Sequence, residues 1–534
     1  MKSSINRRQF LKTVGAGAAL LGLSGCELIS QKDTTASITG KRPNILFIYS
    51  DDHAAPAISA YQSFLSGVVN TPNLDRLANE GMKFENAFCT NSICTPSRAN
   101  VLTGKYSNKN GVKTLSDVFD GTQLTFPKML QEAGYYTGII GKWHLKTQPT
   151  GFDYYNVLPD QGLYFDPVMS ETGMSWWRDQ DDERTGLKQH KGYVTDVITD
   201  LALDFLKNRP GDKPFCLMYQ HKAPHDMWEY DPQYAQLYQD IDVPEPFNFF
   251  DDYENRGDAI KRCTQKVTMD QCVFLHGTQG DQFDKVEEEI GDLPPDEQKK
   301  KAYQYFIKAY LRCVASIDEN VGRVLNYLDK QDLTNNTIVL YTSDHGVFLG
   351  EHGLFDKRFM YEESLRIPLL VRYPKEIKAG SVCKDFALNV DFSPTFLEYA
   401  GVKAPKEIDG KSLRPVFKGK TPKNWRTATY YRYWMHRPHF NVAGHYGIRT
   451  HRFKLIFYYG LPLDARGARR QPTPPEWELF DLEKDPYEMN NVYADPSYAG
   501  VVKGLKKRLL ELKEECEDTD EKYPELMEVR ERYW

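Results

Sequence analysis

Reactive polar side chains follow four apolar runs of strand length in this sequence. The runs cover residues 44–50, 137–141, 215–220 and 338–343. The polar residues that follow them are, in chain order, Asp51, Asp52, His53, Lys142, His144, His221, His225, Asp344 and His345. Unbroken apolar runs are typical of strands buried in a parallel sheet, and ligands of such sheets bind outside the carboxyl ends of the strands. The sequence therefore predicts one site that gathers carboxylate, imidazole and ammonium groups at one edge of a sheet.

Three of these side chains, Asp51, Asp52 and Asp344, are carboxylates. Their hard oxygen atoms suit Ca²⁺ or Mg²⁺ far better than zinc or copper. The nine cysteines of the chain include no C-x-x-C pair, so the spacing does not predict a structural zinc site.

A candidate nucleophile, Cys94, comes two residues before Pro96. Proline is pre-set for the first turn of a helix, so Cys94 is predicted to lie just outside a helix amino terminus. Free N–H groups and the helix dipole at that end favour an anion and lower the pKa of a thiol. The alternative is a cysteine that only caps a buried helix, and the carboxylate-rich strand ends disfavour it.

The segment around Cys94 resembles the signature of type I sulfatases, which belong to the alkaline phosphatase superfamily. The matching positions are Cys94, Pro96, Ser97, Arg98, Thr103 and Gly104. Further segments that match in order are residues 44–52, 141–144, 223–225, 342–346, 357 and 361–362. The resemblance runs from residue 42 to the C-terminus. It implies an α/β fold with a large mixed, mostly parallel sheet flanked by helices, followed by a smaller C-terminal α+β subdomain that carries an antiparallel sheet.

The same resemblance implies a chemistry. In this family the signature cysteine is converted after translation to formylglycine, which implies a formylglycine-generating or sulfatase-maturating enzyme as a partner. The family holds one divalent ion, usually Ca²⁺ with Mg²⁺ as the alternative, and the matching ligand positions are Asp51, Asp52, Cys94, Asp344 and His345. The resemblance places Arg98 and Lys142 beside the nucleophile, His225 and Lys357 at the departing sugar oxygen, and His144 as the base of the second step.

Amphipathic helices are predicted between these strands. Apolar residues recur at helical spacing over residues 193–206 and 301–328. Alternating strands and helices indicate a sheet covered on both faces, in a catalytic domain of residues 42–420. Within it, residues 226–300 are polar and are predicted to form a solvated insertion.

The last part of the chain, residues 421–534, is predicted to form a subdomain that contributes to the substrate pocket. Alternating polar and apolar residues over 427–434 and 446–459 indicate antiparallel strands, and residues 501–512 indicate a closing helix. Polar and aromatic side chains in this part and after His225 suit a sugar ring. The resulting substrate-binding candidates are Asp226, Trp228, His436, His439, His445 and Arg449.

The first 26 residues are predicted to be an address signal. Arg7 and Arg8 precede a short apolar run, and small residues precede Cys26. This resembles a twin-arginine export signal joined to a lipoprotein processing box, with lipidation at Cys26 and a flexible tether over residues 27–41. We therefore expect an exported, lipid-anchored protein in the periplasm or at the cell surface of a bacterium. A disulfide between Cys263 and Cys272 is left open.

Composition excludes several classes of protein. The 534 residues are 40% hydrophobic and 27% charged, with a formal net charge of −6. These values exclude a disordered chain, a polytopic membrane protein and a strongly basic nucleic-acid binder. The predicted function is a sulfuric ester hydrolase that removes O-sulfate from sulfated sugars, hexosamine or galactose sulfates. Two alternatives stay open: a phosphodiesterase or phosphonate hydrolase of the same superfamily, and a non-catalytic lipoprotein that binds sulfated glycans.

Overall fold

A sheet of ten strands lies at the centre of the computed structural model, which describes residues 42–180, 185–270 and 288–534. In chain order the strands of this sheet and of three smaller ones are β1 Asn44–Ser50, β2 Met82–Phe84, β3 Ala87–Phe88, β4 Tyr136–Lys142, β5 Tyr154–Leu158, β6 Val168–Glu171, β7 Lys188–Gln189, β8 Phe215–Gln220, β9 Thr337–Ser343, β10 Phe348–Leu349, β11 Phe355–Asp356, β12 Leu369–Arg372, β13 Ser381–Cys383, β14 Ala387–Leu388, β15 Ala428–Tyr433, β16 His445–Thr450, β17 Phe453–Tyr458 and β18 Glu476–Asp481. The order across the large sheet is β13-β2-β12-β9-β1-β8-β4-β5-β6-β7.

The four apolar runs of the sequence form the parallel middle of this sheet. Strand β1 pairs in parallel with both β8 and β9, and β4 pairs in parallel with β8 and β5. Strand β12 runs antiparallel to β9, so the sheet is mixed. This mixed, mostly parallel sheet confirms the predicted fold class. Buried apolar strands of this kind need cover on both faces.

Helices supply that cover. They are α1 Pro72–Glu80, α2 Cys94–Thr103, α3 Ser107–Asn110, α4 Phe126–Glu132, α5 Val194–Asn208, α6 Asp258–Arg262, α7 Pro295–Lys330, α8 Glu362–Leu365, α9 Phe392–Tyr399, α10 Arg414–Phe417, α11 Ala499–Glu515 and α12 Pro524–Tyr533. The helix predicted over residues 301–328 is longer than expected, since it begins at Pro295, a residue suited to a first helical turn.

Successive side chains of β1 enter two different hydrophobic cores. Phe47 packs in one core with Phe392 and Phe396 of α9, whereas Ile48 packs in the other with Ile317 of α7. This alternation follows from the period of two along a strand. The sheet is therefore the shared wall between the two cores.

A second, four-stranded antiparallel sheet has the order β15-β16-β17-β18, and helix α11 packs against it. Its residues Tyr430, Ile448 and Leu455 belong to the same core as Phe47 of β1. The predicted C-terminal antiparallel sheet is confirmed. The domain boundary between residues 420 and 421 stays a prediction.

The described part of the predicted insertion is not wholly solvated. Val243 and Phe249 enter the core that contains α7, and Ile260 enters the opposite core. Apolar residues spaced irregularly along a polar segment thus anchor it, which periodicity alone does not reveal.

Several predictions lie outside the described residues. They include the export signal, the tether, the lipidation site Cys26 and the disulfide partner Cys272. Across the described ranges, no helix is both long and apolar enough to span a bilayer.

Candidate active site

The carboxyl ends of the neighbouring strands β9, β1, β8 and β4 bring the predicted site residues together. The backbone N–H of Asp52 donates to Asp344 Oδ1 at 3.1 Å, and the N–H of Asp344 donates to the carbonyl of Ser50 at 3.3 Å. Asp51, Asp344 and Lys142 are fully buried. The predicted sheet edge is thus a single enclosed polar site.

Two overlapping groups of side chains could hold a metal ion. The ligand atoms of Asp51, Cys94, Asp344 and His345 all lie within 4.8 Å of one another, as do those of Asp52, Cys94 and His225. The Nε2 atom of His345 lies 3.2 Å from Asp52 Oδ1 and 3.5 Å from Asp344 Oδ1. The first group contains two carboxylates, Asp51 and Asp344, and the second contains Asp52. Carboxylate oxygens suit a hard divalent cation, so the donor set fits the predicted ion.

The guanidinium of Arg98 links the carboxylates from the other side. It reaches from α2 to Asp51 Oδ1 at 3.2 Å and to Asp344 Oδ2 at 3.1 Å. It also donates to Gln220 Oε1 at 2.7 Å. These contacts hold a rigid positive charge inside the site, where it can face an anionic substrate group.

Helix α2 begins at Cys94 itself rather than one residue later, with Ile93 as its N-cap. Burial raises the pKa of the Cys94 thiol to about 12, and the carboxylates of Asp344 and Asp52 act in the same direction against Lys357 and Arg98. The prediction of a lowered thiol pKa is therefore wrong, because desolvation disfavours the thiolate more than the helix end favours it. An unmodified Cys94 is a neutral thiol at pH 7.

Lys357 and His225 lie on the side of the site formed by Asp52. Lys357 Nζ donates to both carboxylate oxygens of Asp52, at 2.6 and 2.9 Å. The Nδ1 atom of His225 donates to the backbone carbonyl of Asp226 at 2.8 Å and also contacts the Asp226 carboxylate, and its Nε2 lies 4.0 Å from Asp52 Oδ2. Both kinds of oxygen only accept hydrogen bonds, so Nδ1 carries a proton and Nε2 points at the site. Burial lowers the pKa of His225 to about 4, whereas the charge of Asp226 acts in the opposite direction and favours the imidazolium, in which Nε2 also carries a proton.

Lys142 is the last residue of β4, and His144 follows the strand on the opposite side of the site. Burial and the charges of Lys142 and Arg98 lower the pKa of His144 well below its ordinary value. A neutral imidazole can accept a proton, which is what a base requires. The ammonium of Lys142 contacts the carboxylate of Asp51 and the side-chain oxygen of Gln161.

Two family models match the chain with this geometry. The sulfatase model matches residues 43–402, and the model of the C-terminal part of N-sulphoglucosamine sulphohydrolase matches residues 350–515. This chain belongs to the sulfatase family. It is therefore an enzyme, a sulfuric ester hydrolase, in agreement with the sequence prediction.

Relatives of the sulfatase include two glucosamine sulfatases. An N-acetylglucosamine-6-O-sulfatase of Bacteroides thetaiotaomicron is 42% identical, over 94% of this chain and 90% of that protein. An N-acetylglucosamine-6-sulfatase of Homo sapiens is 28% identical, over 72% of this chain and 66% of that protein. A solved structure in complex with its substrate D-glucosamine-2-N,6-O-disulfate superposes with a TM-score of 0.81 and 42% identity, covering 90% of this chain and 99% of that one.

Three substrate-binding candidates of the sulfatase are occupied by protein partners. His436 accepts from the N–H of Gly444 at 3.0 Å and its Nε2 contacts the carbonyl of Gln471 at 3.0 Å. Arg449 pairs with Glu362 at 3.1 Å. The ring of His445 is buried among Tyr431, Tyr433, Tyr458 and Phe359. These contacts engage both ring nitrogens of His436 and the guanidinium of Arg449, and they enclose His445. That the three side chains read the sugar stays a prediction.

The remaining candidates divide in two. Trp228 is buried with its ring 4.6 Å from that of Phe306 on α7, so it stabilises a core instead of lining a pocket. Asp226 lies at the site, but its carboxylate orients His225. His439 is exposed as a whole residue, but its imidazole is partly buried, and this burial together with the charges of Arg358 and Lys357 lowers its pKa to about 4. Of the six candidates, His439 and Asp226 are the two that the fold brings to the catalytic groups.

Sequence reasoning missed three residues that contact the catalytic groups. Gln220 holds Arg98, and Gln161 contacts Lys142. The buried ammonium of Lys222 lies 4.4 Å from the centre of the Tyr164 ring and donates to the carbonyl of Asp226 at 3.4 Å. A polar residue at the end of an apolar strand could have indicated Gln220, whereas no local pattern marks Gln161.

Proposed function

We propose that this sulfatase removes the 6-O-sulfate group from glucosamine units of sulfated glycans of the glycosaminoglycan type. The observation that carries the proposal is the 42% identity to an N-acetylglucosamine-6-O-sulfatase over 94% of the chain. The matched length includes both the catalytic sheet edge and the C-terminal subdomain that contains His439. A solved relative that covers the same span is bound to a 6-O-sulfated glucosamine.

The nucleophile in this proposal is formylglycine made from Cys94, with Ca²⁺ as the ion. The family in general uses formylglycine and a metal, and together they supply an activated hydroxyl and neutralise charge on the sulfate. Asp51, Asp52 and Asp344 would hold the ion, with His345 as a fourth ligand or close neighbour.

The side chains of the sulfatase perform the remaining tasks. Arg98 and Lys142 neutralise and orient the sulfate at the buried end of the site. Lys357, and His225 in its imidazolium form, face the ester oxygen and donate the proton that the departing sugar alkoxide needs. A positioned acid of this kind contributes about 10²–10⁴-fold to a rate. His144, which is neutral at pH 7, accepts the proton in the step that releases sulfate.

The protein is also proposed to be exported and tethered by lipid at Cys26. The support is the sequence alone: Arg7 and Arg8, the short apolar run and the small residues before Cys26. Labelling with a radioactive fatty acid tests the tether, and a Cys26→Ser variant that still incorporates label contradicts it.

The decisive test is sulfate release from a matched set of sugars. Protein whose Cys94 peptide carries the mass of the aldehyde is incubated with N-acetylglucosamine 6-sulfate, galactose 6-sulfate, and N-acetylgalactosamine 4- and 6-sulfates. The expected result is selective release from the glucosamine ester. Release from a galactose-type sugar without release from N-acetylglucosamine 6-sulfate would overturn the proposal.

A further inference from the structure

A loop rich in arginine joins β17 to β18 and spans residues 461–475; we call it the arginine loop. Arg466, Arg469 and Arg470 are exposed on it. Among the described residues, no side chain forms a hydrogen bond or an ion pair with any of these three guanidinium groups. Unpaired arginines at a surface are common singly, but three of them in five positions form a strongly positive patch.

The arginine loop is fixed to the catalytic half of the molecule. Asp464 accepts from Lys113 Nζ at 2.8 and 2.9 Å, and the carbonyl of Arg466 accepts from Thr114 Oγ1 at 2.8 Å. Gly467 has a φ of +79°, and a Cβ added there would lie 2.2 Å from Ser116 Oγ. Only glycine allows the backbone at residue 467 to approach Ser116 this closely, so Gly467 lets the loop pack against residues 113–116.

The same loop borders the catalytic site. The N–H of Arg469 donates to the carbonyl of His436 at 2.9 Å, three residues before the exposed His439. The charge of Arg469 acts on His439 together with those of Lys357 and Asp226. Arg466 acts in the same way on Lys146, which lies two residues beyond His144. The ring of Phe440, next to His439, lies 5.1 Å from the guanidinium of Arg358, the neighbour of Lys357. The loop therefore directs Arg469 towards the Lys357 side of the site and Arg466 towards its His144 side.

We propose that Arg466 and Arg469 bind a second anionic group of the substrate, a sulfate or a carboxylate outside the ester being hydrolysed. Guanidinium forks match both kinds of oxyanion, and the groups are free to accept one. This inference rests on the proposed function, since it assigns a binding site to a second anionic group of the same glycan substrate. It makes a multiply charged glucosamine, and not a singly sulfated sugar, the preferred substrate.

The test measures affinity without turnover. Full-length protein carrying Cys94→Ala is titrated by calorimetry with three probes: N-acetylglucosamine 6-sulfate, glucosamine 2-N,6-O-disulfate, and 6-sulfated N-acetylglucosamine joined to a uronic acid. The double substitution Arg466→Gln with Arg469→Gln is expected to reduce the preference for a dianionic probe over the first probe by about tenfold. Loss confined to the disulfate identifies a sulfate as the bound group, and loss confined to the disaccharide identifies a carboxylate.

The matched control removes two charges elsewhere. Lys503→Gln with Lys507→Gln changes two exposed lysines of α11, and the preference should stay as in the parent. An unchanged preference in the arginine variant, or an equal loss in the lysine control, would overturn the proposal. If the double variant does not fold, each single substitution and a salt titration of the parent serve instead, because salt should weaken the preference.

Failure of the proposed function has a different signature. It is seen as an absence of 6-O-sulfate release by mature protein, whatever the affinities are. Failure of the inference about the arginine loop is seen in the affinities alone.

Discussion

The contact between Asp226 and His225 gives a prediction that separates an oriented acid from a merely polar pocket. Substitution of Asp226 by asparagine keeps the size of the side chain and removes its charge. A hydrogen bond to a charged group contributes about 1.5–3 kcal/mol. Because the Asp226 side chain is 33% exposed, the lower end of that range applies. The expected loss in kcat is about tenfold for a sugar sulfate.

The assay compares two leaving groups. A sugar alkoxide needs a proton when the ester breaks, whereas 4-nitrophenolate is stable without one. The Asp226→Asn variant should therefore lose about tenfold with N-acetylglucosamine 6-sulfate and much less with 4-nitrophenyl sulfate. Asp212→Asn, at an exposed turn, is the matched control and should change neither rate. Equal losses with both esters would refute the reasoning, because the substitution would then act on sulfate binding or on the fold.

Three further predictions follow from the site and from the C-terminal sheet. Cys94→Ala should abolish sulfate release and lower the free energy of unfolding by only about 1 kcal/mol, as checked by denaturant titration; measurable turnover would contradict the assignment of the nucleophile. Treatment with EGTA should lower both activity and Tm, and added Ca²⁺ should restore both, since an ion that binds only the folded state stabilises it. If EGTA changed neither activity nor Tm, a removable ion at Asp51, Asp52 and Asp344 would be excluded. Burial raises the pKa of Glu478 from its ordinary value of about 4.5 to about 7. The stability that this group contributes is therefore complete below pH 4.5 and is lost as the pH rises towards 7. Glu478→Gln should reduce the fall in Tm between pH 5 and pH 8, and an identical fall in the variant would contradict the shift.

Much of the catalytic edge was predictable because its signals are local. Residues 44–50 and 338–343 are unbroken apolar runs, and they form β1 and β9 with the predicted chemistry at their ends. The period of two and the rule for strand ends need no knowledge of distant contacts. Agreement between pattern and fold is therefore greatest for the buried strands.

Sequence reasoning falls short where tertiary contacts decide the surroundings of a side chain. The sequence does not show that aromatic rings enclose His445 or that Arg449 pairs with Glu362. The thiol of Cys94 has a raised pKa because tertiary burial outweighs the helix end. Neither the hydrophobic periodicity nor a motif of a single sequence shows which carboxylate or ring from another part of the chain will contact a given side chain.

The depth of Cys94 also sets an order of events in the life of the molecule. In the folded chain the side chain is 1% exposed, and every residue of its helix is buried. Under the proposed conversion to formylglycine, a maturating enzyme needs this segment while it is still extended, so folding and conversion would compete for the same newly made chain. A molecule that folded first would keep an inaccessible thiol in place of its nucleophile. The active fraction of a preparation would then report how often conversion preceded folding.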